Sequence, residues 1–242
     1  MAVNAGSSLY FQAGSFGGSS GTPIGTLGVS GGNLYVNSAS TVTATTVNVS
    51  AGVANVSGVL DTTTANVYVV SGVPGQLNVN SSGQVNVAPS AGGTLNVFGD
   101  LSLGNSATLT ASTVAVQAGG NALVDGTLGS STGLGTLLID GGGIMTLNGT
   151  LTTATTGTVL VQGALTMGPA AKTYIPNLVV QSYTVGSNVV PGEVVVDSGA
   201  EVNDYGVSNL GTAVTVQNGG MMLLNGIIGD SSDKYSGSSL TV

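Results

Sequence analysis

Apolar and small polar side chains alternate along this chain in short runs of about four to six residues, each closed by a turn. A period of two marks a strand with one buried face. The clearest copies are Thr113 to Leu128, Thr136 to Leu151 and Ala213 to Ile228. Each holds a short strand (Val114-Ala115-Val116, Leu137-Leu138-Ile139, Val214-Thr215-Val216), then Gln117, Asp140 or Gln217, then a glycine turn and a second short strand. Weaker copies run from Thr158 to Met167 and from Glu193 to Val202. The first half carries a variant with Asn at the strand centre: Val47-Asn48-Val49, Ala65-Asn66-Val67, Leu77-Asn78-Val79, Val85-Asn86-Val87 and Leu95-Asn96-Val97.

With Val47, Val67, Leu95, Val114, Leu137, Val159, Val194 and Val214 as anchors, most neighbouring steps are 19 to 23 residues. The intervals 67–95 and 159–194 are wider, and two irregular coils fill either one in this reading. Helix is disfavoured by the β-branched residues, Gly and Thr. A coil of about 20 residues cannot bury its own apolar face, but stacked coils can, each Val above the Val below. The chain therefore reads as all-β, a β-solenoid with about 20 residues per coil. About ten to twelve coils at the strand spacing give a rod roughly 50–60 Å long. The Asn positions then form either an axial ladder of amides or a row of solvent-facing polars. A β-sandwich would show longer strands and a more uneven repeat. The body is placed at residues 31–228. Residues 1–30 form a flexible or assembly-mediating segment, and residues 229–242 a tail or terminal strand.

Composition sharpens this picture. Charged residues are 5% of the 242, against about 25% in an ordinary globular domain. There are 41 glycines and no Cys, His or Trp, and the only basic side chains are Lys172 and Lys234. Disorder requires low hydrophobicity, whereas 41% of residues here are hydrophobic. A net charge of -8 argues against nucleic acid and anionic lipid. No apolar run is long enough for a transmembrane helix. Aromatics, at 4%, are too few for the girdles of an outer-membrane barrel. The opening Met1-Ala2-Val3-Asn4 lacks the basic stretch of a Sec-type signal.

The segments Val214-Thr215-Val216-Gln217-Asn218-Gly219-Gly220-Met221-Met222-Leu223-Leu224-Asn225-Gly226 and Val194-Val195-Val196-Asp197-Ser198-Gly199-Ala200-Glu201-Val202 resemble repeats of bacterial autotransporter passenger domains and filamentous-haemagglutinin-type adhesins. The resemblance covers roughly residues 31 to 228. It implies a right-handed parallel β-helix, surface exposure, and adhesion or matrix roles. The sequence shows no C-terminal barrel domain, which favours a secreted, separately assembled subunit.

Candidate chemistry is sparse, and no catalytic, cofactor-binding or metal site is assigned. Ser has no His to activate it, and there is no Cys nucleophile. Neither Lys sits beside a carboxylate cluster. Asp197, Glu201 and Asp204 could supply a carboxylate pair for glycoside hydrolysis, but read more simply as turn residues on a solvated edge. Asp140-Gly141-Gly142-Gly143 lacks the following Asp of a calcium nonapeptide, and Asp230-Ser231-Ser232-Asp233 reads as a polar exit loop. The clusters Thr41 to Thr46, Thr62-Thr63-Thr64 and Thr152 to Thr158 are too far apart in sequence to suggest the shared register of an ice-binding face. Asn48, Asn55, Asn80 and Asn148 fit N-x-S/T sequons, which arise by chance in such a composition. Tyr174, Tyr183 and Tyr205 are candidate sugar platforms, with local packing under loops the simpler reading.

No charge precedes Asp61, and residues 1–30 hold the apolar island Leu9-Tyr10-Phe11 and Phe16. A strand edge without charged gatekeepers invites pairing. The expectation is a non-catalytic structural subunit of an extracellular fibre, surface layer or biofilm matrix. It would assemble with itself, head to tail, by strand pairing of solenoid ends. The alternative is a surface adhesin module binding glycan or matrix polysaccharide through its lateral face. Neither reading involves a cofactor, nucleic acid or membrane insertion.

Overall fold

The computed structural model describes residues 1–17, 22–88, 92–130, 132–204, 207–210, 213–224, 227–228 and 239–241. The chain is a parallel β-solenoid of about nine turns, with about 22 residues per turn and no helix among the described residues. Each turn contributes one strand to each of three faces. The first face stacks residues 2–4, 28–30, 46–50 and 64–67, then Thr94–Val97, Thr113–Val116, Thr136–Ile139, Thr158–Val161 and Asn177–Val180. The second stacks residues 8–11 and 33–36, then Val53–Val56, Gln76–Val79, Asp100–Leu103, Asn121–Val124, Ile144–Leu147, Ala164–Met167 and Glu193–Val196. The third stacks residues 13–16, 41–44 and 59–62, then Gln84–Val87, Thr108–Ala111, Thr127–Gly129, Thr150–Thr152, Lys172–Ile175 and Glu201–Asp204. At the usual strand spacing these nine rungs span about 40 Å. Strands of the same faces continue at Val207–Leu210, Ala213–Val216 and Met221–Leu224.

Most strands of the three faces keep the period of two, so that alternate side chains point inward. On the first face one inward column runs Leu27, Val47, Ala65, Leu95, Val114, Leu137, Val159, Leu178, and all are buried. The columns of the three faces close one continuous core. Corners must be compact for the columns to stay aligned. At Gly149, for example, a Cβ would overlap the carbonyl oxygen of Gly126 in the corner below. The glycine turns after Gln117, Asp140, Asp197 and Gln217 each place Gly119, Gly142, Gly199 or Gly219 at φ of 80° to 92°, a region that favours glycine.

The strand pairings correct the register expected from sequence. Val194 and Val214 belong to the second face, pairing with Leu165 and with each other, whereas Leu95, Val114, Leu137 and Val159 belong to the first. The copy beginning at Ala213 is thus a strand–turn–strand unit set one face later than those beginning at Thr113 and Thr136. The wide intervals do not hold two irregular coils. Each holds one antiparallel hairpin inserted where the first face passes to the second. In the first, Val69 and Val70 pair with Pro74 and Val73, and the Gly75 N–H closes the stem on the Tyr68 carbonyl at 2.7 Å. In the other, Tyr183–Val185 pairs with Asn188–Val190, and the Gly192 N–H donates to the Gln181 carbonyl at 3.0 Å.

The boundary expected at residue 31 has no counterpart in the pairings. Residues 2–4 pair with 28–30, and the strand Ser8–Phe16 pairs with Asn33–Ser50. Phe11 and Phe16 meet at 4.6 Å between centroids, and Phe11 is buried, so this first turn fills the end of the core with aromatic rings. Ser239–Thr241 pairs with residues 213–215.

Polar residues also occupy inward positions, Thr62, Thr173 and Asp204 among them. Thr173 is fully buried between Leu151 and Val202, and its Oγ1 has no hydrogen-bond partner. An unsatisfied buried hydroxyl costs about 1–3 kcal/mol. Thr173→Val should therefore raise the urea midpoint, by about 1 kcal/mol of stability. Leu137→Ala, which opens a cavity in a full column, should lower stability by about 2–5 kcal/mol in the same measurement.

Candidate functional site

Outward positions stack as regularly as inward ones, and their chemistry changes along the axis. Asn66 Nδ2 donates to Asn48 Oδ1 at 2.9 Å, and Asn96 Nδ2 donates to Asn66 Oδ1 at 2.9 Å. On the second face Asn78 Nδ2 reaches Asn55 Oδ1 at 3.2 Å. On the third, Asn86 Nδ2 donates to Asp61 Oδ1 and Thr110 Oγ1 donates to Asn86 Oδ1, both at 2.9 Å. The amides therefore form axial ladders rather than simple solvent-facing rows. All four sequon asparagines are engaged in such side-chain bonds. Asn48 and Asn55 accept within ladders, Asn80 donates to Ser57 Oγ at 3.0 Å, and Asn148 donates to Asp125 Oδ1 at 2.8 Å.

The threonine clusters, expected to lack a shared register, each supply one member to a single file. Thr26, Thr46, Thr64, Thr94, Thr113, Thr136 and Thr158 are neighbours rung by rung on the first face. The file is one residue wide. The next outward position along those strands carries Gly28, Asn48, Asn66, Asn96, Ala115, Leu138 and Leu160. A broad hydroxyl face is not formed there.

The three acids do not assemble into a pair. Glu201 is outward and half-buried on the third face, whereas Asp204, three residues on, is buried and inward. Asp197 is half-buried at the preceding corner. Asp140 Oδ1 accepts from the Gly141 N–H at 2.8 Å, a local turn contact. Among the described residues there is no group of three or more metal-ligating acids. The segment 230–233, Lys234 and Tyr205 lie outside the described residues. Tyr183 is half-buried with its ring against Gly141, where a Cβ would overlap it. Tyr174 is different: it is 47% exposed on the third face.

Lys172 and Tyr174 are two residues apart on one strand, so both point outward. Thr150 and Thr152 lie on the rung to one side, and Glu201 and Asn203 on the other. Lys172 thus has a carboxylate neighbour across the strands, which the sequence separates by 29 positions. An open cleft runs from this strand to the corner joining the second and third faces, lined by Asn105, Asp125, Thr127, Asn148, Thr150 and Lys172. The alternation in Lys172-Thr173-Tyr174-Ile175 is enough to put Lys172 and Tyr174 on one side. Only the register across turns supplied their neighbours.

Other aromatic pairs were missed from sequence, because their members are far apart along the chain. Tyr10 stacks on Tyr35 with centroids 4.6 Å apart and planes within 5°, and Tyr68 stacks on Phe98 at 5.6 Å. The hairpin tips expose Val69, Val70, Val73, Val185 and Val189.

No protein-family model and no curated protein matches the chain. Among solved structures it is similar to the crystal structure of the TibC-catalyzed hyper-glycosylated TibA55-350 fragment. Identity is 18%, the alignment covers 100% of this chain and 97% of that one, and the TM-score is 0.33. The fold assignment rests on the strand pairings of the chain itself.

The ladder makes a graded prediction. Asn66 makes two ladder bonds, whereas Asn48 and Asn96 each make one. Asn66→Ala should destabilise by about 1–3 kcal/mol in urea unfolding, more than Asn48→Ala or Asn96→Ala, because it removes two net bonds of about 1 kcal/mol each.

Proposed function

We propose that this protein is a non-catalytic structural subunit of an extracellular fibre, surface layer or biofilm matrix, assembled by strand pairing between solenoid ends. The observation that carries the proposal is the edge of the first turn. Residues 2–4 pair with 28–30, with a further bridge from Asn4 to Gly31, and Ser8–Phe16 pairs with Asn33–Ser50, so their outer edges have no strand partner among the described residues. That edge carries no charged side chain, and none occurs before Asp61. Charged edge residues are the usual guard against such pairing. The core beneath is already sealed by Phe11 and Phe16, so an incoming strand meets free backbone groups over a filled interior. The exposed Tyr10 ring, stacked on Tyr35, extends the same axial series at the surface. Non-closing contacts between unlike ends produce filaments. The lack of His, Cys and Arg supports a role without catalysis, and the net charge of -8 supports one without nucleic acid.

A second reading is favoured by one observation, the exposed Tyr174 on the third face. It makes the solenoid a surface adhesin module that binds glycan or matrix through that face.

Purified protein should sediment as a concentration-dependent polymer and form rods or fibres in negative stain. Placing charge on the free edge at exposed positions, with Ser8→Lys and Gln12→Lys together, should leave a monomer with unchanged β-sheet circular dichroism. A wild-type chain that stays monomeric at high concentration, or a variant that still polymerises, removes the fibre reading.

A further inference from the structure

The corners between the second and third faces are not equally long. Two residues suffice between Val124 and Thr127 and between Leu147 and Thr150, whereas residues 104–107 and 168–171 make four-residue corners on the turns either side. The short corners thus form the floor of a notch and the long ones its walls. The walls are three strand spacings apart, about 14 Å. This is the cleft lined by Asn105, Asp125, Thr127, Asn148, Thr150 and Lys172. Its polar groups both donate and accept. Asp125 Oδ1 takes the Asn148 amide at 2.8 Å, which leaves Oδ2 without a protein partner among the described residues. Among the described residues Lys172 forms no ion pair, although Glu201 is its neighbour across the strands. Tyr174, 47% exposed, stands two residues beyond the cleft-lining Lys172 on the same strand, with Thr152 and then Gly129 on the successive rungs beside it. Small residues on that side leave room next to the ring.

We infer that this notch and Tyr174 together bind a neutral saccharide. The inference rests on the adhesin reading above and gives that reading a site. A sugar ring has an apolar C–H face and a rim of hydroxyls that donate and accept at once. Tyr174 supplies an exposed ring for the face. Asp125 and Asn105 supply acceptors, and Lys172, Thr127 and Thr150 supply donors, within the cleft that opens beside it. Stacking on an aromatic face together with directed hydrogen bonds is the usual composition of a small-ligand site. The protein carries a net charge of -8, with Asp125 and Glu201 bordering the site, so an anionic sugar meets repulsion that one lysine does not offset.

The test is calorimetric titration of the full chain with hexamers of glucose, galactose and mannose and with a galacturonate hexamer. At least one neutral hexamer should bind. Tyr174→Ala should weaken it by about tenfold or more, and Tyr174→Phe should restore it, since the ring and not the hydroxyl is used. Tyr68→Ala, at an exposed ring on another corner, should change nothing. Binding that survives both Tyr174→Ala and Lys172→Ala overturns this site while leaving lateral adhesion standing. Tighter binding of the galacturonate hexamer than of any neutral one overturns the neutral-sugar assignment. No binding to any hexamer removes the site and the adhesin reading together.

Discussion

The structure depends on one constraint: inward apolar side chains must lie above one another in continuous columns. Parallel pairing at the strand spacing brings like positions into contact, so Leu95 sits between Ala65 and Val114, and Leu137 between Val114 and Val159. No single turn buries its inward side chains alone, because without neighbouring turns water lies above and below them. Stability therefore lies in the contacts between turns, as in other repeat architectures. The buried columns tolerate Ala, Val, Leu, Ile and Met, provided that the position is inward. Thr173 shows the limit of that tolerance, a hydroxyl held where only packing is on offer.

The same register that aligns the core also aligns the surface. A side chain that can bond to its own kind gains a partner on each neighbouring turn, which is why Asn48, Asn66 and Asn96 bond in series. Aromatic rings behave likewise, as in the Tyr10–Tyr35 stack. Axial order is thus a property of the whole rod and not of its interior alone. An edge strand at the end of such a rod presents the same stacking positions to whatever pairs with it, which links the core constraint to the end-on assembly proposed above.

Departures from regularity collect at the corners, where added residues do not disturb the columns. The two hairpins and the four-residue corners are all insertions between strands that keep their pairing. Val67 leads through a hairpin to Gln76, yet residues 64–67 and Gln76–Val79 remain in register with the turns either side. The lateral features of this molecule arise there. The notch beside Lys172 exists because two short corners lie between two long ones. Exposed valines at the hairpin tips stand on the same principle.

How much of this was legible follows from what alternation encodes. The period of two in segments such as Val114-Ala115-Val116 names the buried side of each strand, and the glycine turns name where strands stop. Those local rules suffice for a β-solenoid and for Lys172 and Tyr174 sharing a side. They do not say which face a strand occupies, because all three faces use the same short apolar-x-apolar unit. For that reason the copies at Thr113 and Ala213 look alike yet sit one face apart. Nor can local rules tell a hairpin insert from an extra coil, since both are short alternating strands around a turn. The Thr26-to-Thr158 file, the pairing of Lys172 with Glu201 and the separation of Glu201 from Asp204 were decided only when the turns stacked. Alternation is carried by neighbours along the chain; register is fixed by contacts about 20 residues away, through the packing of columns that no single segment contains.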